Sequence, residues 1–99
     1  MFELTMSHLE NVFNQAVKVP NQNYVAVKIQ MEGFAEAEII INPIRNVKEK
    51  LEYYKKTYDE NLNHKFADGI KIVAVTFGET MKEIEDDFYY YEYGVMFYE

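Results

Sequence analysis

His8 and His64 are the only imidazoles in this chain, and neither has a second ligand or an acid at the spacing of a metal site or a general base. Ser7 precedes His8, but adjacent helical residues do not face each other, so the two cannot act as nucleophile and base. There is no cysteine, hence no thiolate nucleophile, no thiolate metal site and no disulfide framework. Asp59, Asn61 and Asn63 stand at the first, third and fifth positions of a calcium loop. That loop needs Gly at its sixth position and Glu at its twelfth, and here His64 and Ile70 occupy them. The stretch reads instead as a polar helix end and loop, where Asp and Asn are favoured. Gly78-Glu79-Thr80, between an apolar run and a helix, has the outline of a phosphate-binding turn. It lacks the other glycines and the lysine, and the acids at 79, 83, 85, 86 and 87 would repel phosphate. These residue types point away from an enzyme; no catalytic residue, metal or cofactor is expected.

Two surface constellations remain. The segment 46–60 carries Lys48, Lys55 and Lys56 with Tyr53 among them, beside Arg45 and Lys50, a set that can touch phosphates. Glu49 and Glu52 interrupt it, as on an ordinary solvated helix face. The C-terminal end is the stronger anomaly. Residues 83–99 hold six acids and seven aromatics, and five of the nine tyrosines follow residue 88. Tyrosine is amphipathic and enriched at interfaces, and interleaved acids suit a basic, partly apolar surface. The candidate partner-binding residues are therefore Glu85, Asp86, Asp87, Tyr89, Tyr90, Glu92 and Tyr93. The same aromatics can instead pack on this chain's own sheet or form a homodimer.

The elements that must carry these residues follow from length and periodicity. Ninety-nine residues, almost half apolar and about a quarter charged, suit one domain over 1–99. Ser7 to Glu10 has capping-box spacing, and Leu9, Val12, Phe13, Ala16 and Val17 follow as one helical face. Residues 24–31 and 35–41 alternate around Glu32-Gly33-Phe34 as a hairpin with one wet face. Pro43 ends the second strand, and Asn46 caps a long helix whose apolar side is Val47, Leu51, Tyr54, Tyr58 and Leu62. Ile70–Phe77 is the most apolar strand, expected inside the sheet. Thr80 to about Tyr90 is an acidic helix, and the residues from Tyr91 to Tyr98 fit helix or strand. Phe2 to Met6 is either a short strand or an earlier helix start. The fold class is α+β: an antiparallel sheet with helices on one face, in the order (β)αββαβ plus a C-terminal helix or strand. With the first strand present, this is the order of a ferredoxin-like domain.

Net charge is −7, divided unevenly: −3 over residues 1–42, +2 over 43–77 and −6 over 78–99. Such a chain repels nucleic acid overall, and a protein partner with a basic surface fits better. No apolar run approaches the roughly 20 residues that span a bilayer. The N-terminal stretch lacks the features of a signal peptide, which gives a cytoplasmic expectation.

Lys50-Leu51-Glu52-Tyr53-Tyr54-Lys55-Lys56-Thr57-Tyr58-Asp59-Glu60-Asn61-Leu62, followed by Gly69-Ile70-Lys71-Ile72-Val73, resembles small uncharacterised proteins of bacteriophages of Gram-positive bacteria. The resemblance covers about a third of the chain and carries no catalytic motif. It implies a small acidic accessory protein that binds a host or phage protein such as a nucleic-acid-handling or defence component in the host cytoplasm, with inhibition as one outcome of binding.

Overall fold

The structure, a computed structural model, describes residues 4–92, and side chains from residue 4 to residue 88. Its elements are α1 (Met6–Lys18), β1 (Tyr24–Met31), β2 (Glu38–Pro43), a 3-10 turn (Ile44–Asn46), α2 (Val47–Thr57), β3 (Ile70–Gly78) and α3 (Met81–Glu92). This is the expected α+β class. The three strands form one antiparallel sheet in the order β2-β1-β3. No helix among the described residues is long and apolar enough to cross a membrane.

Alternation in β1 decides both layers. Val25, Val27 and Ile29 point to one face, where they are buried with Leu9, Phe13 and Ala16 of α1. Val47 and Tyr54 of α2 join that cluster, as do Tyr58 and Leu62 beyond it. Ala26 points the other way and is buried with Ala74 of β3 and Ile84 and Phe88 of α3. The expected placement of helices on one face thus holds for α1 and α2. The open C-terminal element is a helix through Glu92, and it covers the opposite face, so the hairpin's second side is dry at Ala26 and Lys28. The start of a strand at Phe2 lies outside the described residues; Met6 is already helical.

Several sequence expectations change with their local physics. The cap of α1 is Thr5, whose Oγ1 accepts from His8 N at 3.3 Å; Ser7 and Glu10 lie inside the helix. The second strand begins at Glu38, not at residue 35, and runs through Pro43. Pro is tolerated there because β2 is an edge strand. Ile41 packs against the α3 side, whereas Ile39 is exposed and Ile40 faces the α1 side. Strand β3 is not the centre of the described sheet; β1 is. It is apolar because α1 covers one of its faces and α3 the other. Lys28 pairs with Ala74 but Ile29 with Ile72, so Val73 is the extra residue of a bulge. The bulge lets Val75 and Ile72, three apart, reach the same core.

Helix α2 stops at Thr57 rather than running to Leu62. Tyr58 is extended, and Asp59 Oδ1 accepts from Asn61 N (2.9 Å) and Asn63 N (3.0 Å), turning the chain. Leu62 sits in that turn at φ 64° with its side chain fully buried. Asn63 then bridges to Lys71 at the start of β3. Asn46 precedes α2 without a side-chain cap, because the 3-10 turn leaves it at φ −95°, ψ 3° instead of extended.

Candidate functional site

The acidic helix is held from both ends of its first turn. Thr80 Oγ1 accepts from Glu83 N at 3.2 Å, and Glu83 Oε2 accepts from Glu79 N at 3.3 Å. The turn that outlines a phosphate site is therefore closed by this chain's own side chains. With Ile84 and Phe88 against the sheet, helical spacing turns Glu85 and Asp86 outward, and both are exposed. Lys82 Nζ lies 3.3 Å from Asp86 Oδ2, one turn away, with both groups in solvent, a weak pair.

Asp87 departs from the sequence-based set. It is turned toward the sheet, half-buried, and accepts a 2.8 Å hydrogen bond from Thr76 Oγ1 of β3. Burial raises its carboxyl above the ordinary range; the Thr76 bond opposes this, and Glu83 and Asp86 reinforce it. Its carboxylate ties the helix to β3. Tyr89, Tyr90 and Glu92 belong to α3, but their side chains lie outside the described residues, as does Tyr93 altogether.

The basic candidates stand on the other side of the molecule. Lys48 and Lys55 line a groove of about 450 Å³ between α1 and the start of α2, whereas Lys56 is exposed on α2 away from it. The groove's floor is Val17, Ile44, Val47 and Leu51; Arg45 joins the two lysines around it, with Glu52 the one acid. Lys55 is paired with Glu10 of α1, which ties the two helices across one end. Tyr53 is half exposed on α2, its ring 5.4 Å below Lys50 Nζ. The chain gives no significant match to a protein-family model, a curated protein or a solved structure.

Each histidine has its own local setting. His64 Nδ1 accepts from Phe66 N at 3.1 Å, and its ring continues an edge-to-face series from Phe13 through Tyr54 and Tyr58 to Phe66. Burial lowers the His8 pKa and favours the neutral ring. It raises the Tyr54 hydroxyl well above the tyrosine range, with Tyr58 and Tyr53 adding to the effect. Among the described residues no group of three His, Cys, Asp or Glu side chains is placed to hold a metal ion.

The groove was hidden from sequence reasoning because its floor unites the end of α1 with the 3-10 turn and α2, distant in sequence. Its one signal is Val17, which the periodicity assigns to the buried face of α1 but which is 58% exposed.

Proposed function

We propose that this chain is a non-catalytic binding protein, an accessory protein of the phage type, that engages a basic protein surface through the outward side of α3. The observation that supports the reading is the direction of that helix. Ile84 and Phe88 hold it to the sheet, and Glu85 and Asp86 face solvent on an ordered, capped element. Acids in such a place add little to stability and mainly steer and orient a partner. Tyr89, Tyr90 and Tyr93, which follow them in the sequence, are the candidate apolar anchors, since hot spots favour Tyr. The resemblance to small phage proteins points to a host or phage protein as the target, with inhibition as one consequence of binding.

The test is affinity capture from a bacterial host extract with the full chain and with Glu85→Lys/Asp86→Lys, whose folding is checked by circular dichroism. A protein retained by the wild type and lost by the variant is the expected result. Equal retention of every captured protein by both would overturn the reading.

A further inference from the structure

We propose that the groove between α1 and α2 receives α3 of a second copy of this chain, linking copies head to tail. This rests on the reading of α3 as a contact surface and names one partner for it. The groove asks for an apolar group flanked by negative charge: an aliphatic floor with Arg45 and Lys48 at its rim, Lys55 beside them but already paired with Glu10, and Glu52 the one acid of the lining. Helix α3 presents that combination. Met81 is 52% exposed, Glu85 lies one turn further on, and Asp86 follows it, with Lys82, held to Asp86, the one cation among them. The complementarity is written into the charge distribution as well, +2 over residues 43–77 and −6 over 78–99. Alternate apolar and acidic contacts also suit this groove better than a row of phosphates, which would leave the floor unused.

The fold dictates the kind of assembly. The α1–α2 layer lies on one face of the sheet and α3 on the other. Two copies related by a twofold axis cannot fill both grooves through one such contact. Each joined pair keeps one open groove and one uncovered α3, so association continues into a chain or closes as a ring. The net charge of −7 on every copy opposes this, so the contact is weak and concentration-dependent.

The test is sedimentation equilibrium of the full chain up to about 1 mM, on four samples. These are the wild type, a groove variant (Arg45→Glu/Lys48→Glu), a helix variant (Glu85→Lys/Asp86→Lys) and an equimolar mixture of the two variants. All four residues are exposed, so the fold should survive, and circular dichroism checks it. Val17→Glu is a second groove variant at an exposed position. Expected are wild-type masses that rise beyond a dimer, monomeric single variants, and association restored in the mixture, where the intact groove meets the intact helix and the two charge-reversed surfaces match each other. A monomeric wild type, a wild type that stops at a dimer, a variant that associates like the wild type, or a monomeric mixture would each overturn the proposal. Failure here is separable from failure of the function. If the groove variant and the wild type capture the same host protein while copies do not associate, only head-to-tail linkage falls. If capture is indifferent to Glu85→Lys/Asp86→Lys, the reading of α3 itself falls.

Discussion

Leu62 sets two opposing terms against each other at one residue. Its side chain is fully buried, yet its backbone lies at φ 64°, where a β-carbon crowds the following carbonyl. Removing the side chain to Ala should cost about 2–5 kcal/mol in burial and cavity, and it leaves the backbone strain in place. Going on to Gly relieves a strain of about 1–2 kcal/mol. Against this, Gly adds freedom to the unfolded chain worth about 0.4–1 kcal/mol. Leu62→Gly should therefore be level with Leu62→Ala or more stable by up to about 1.5 kcal/mol, from the difference of those two ranges. In an ordinary helix or strand interior the order is reversed, with Gly worse by about 0.5–1 kcal/mol. Urea unfolding of the two variants, with equal slopes, reads the sign directly. A Gly variant less stable than the Ala variant by about 1 kcal/mol or more would refute the account. Asp59→Ala tests the same turn from outside. It removes the acceptor of Asn61 N and Asn63 N and should cost about 1 kcal/mol.

Ile72→Ala, at a fully buried position, should cost about 2–5 kcal/mol, and Leu51→Ala, half-buried on the groove floor, clearly less; equal shifts in denaturant midpoint would contradict the burial pattern. A β-carbon at Gly69 would lie 2.8 Å from Glu32 Cβ at φ +79°, whereas Gly33 at φ +89° has open space around it. Both Ala variants should be destabilised by about 1 kcal/mol of backbone strain, with Gly69→Ala distinctly the worse in thermal melts. Asp87 has a folded pKa above its ordinary value of 3.8, so the folded state takes up a proton first on acidification. Its contribution is full below about 3.8 and lost as pH rises through the folded pKa. Asp87→Asn should remove that loss from a stability–pH curve, and Thr76→Val, which deletes the bond favouring the ionised form, should enlarge it. An unchanged curve in both variants would contradict the assignment.

Strand β1 was legible to the residue, because alternation from Tyr24 to Met31 has a period that only a strand satisfies. The core was legible further than the elements were. Tyr58 and Leu62 are buried as their spacing requires, although they lie in a turn and not on a helix. A periodic pattern reports which side chains go inward, while the path between them depends on local bonds such as those of Asp59. The cap of α1 was misplaced for a related reason: Thr5 and Ser7 are both competent hydroxyls, and packing of the buried Leu4 and Leu9 around Thr5 goes with the earlier start. At the candidate site, Glu85 and Asp86 were legible from helical spacing. Asp87 was not, because its partner Thr76 stands on a different element. The position of β3 at an edge of the described sheet was concealed because coverage by helices on both faces gives the same apolar sequence as a central position.

Lys28 turns the second face of the sheet into a clock. It is 6% exposed, with its ammonium 6.0 Å from the centre of the Phe88 ring, beneath α3. An acylating reagent in water reaches the exposed amines of Lys18, Lys48 and Lys82 at once, but meets Lys28 only when the helix lifts. Where reclosing is fast, the labelling rate of this one amine gives the opening equilibrium of α3; where the reagent is faster, it gives the opening rate. Anything bound across α3 that holds the helix down would slow the reaction at Lys28 while leaving the solvent-facing amines untouched.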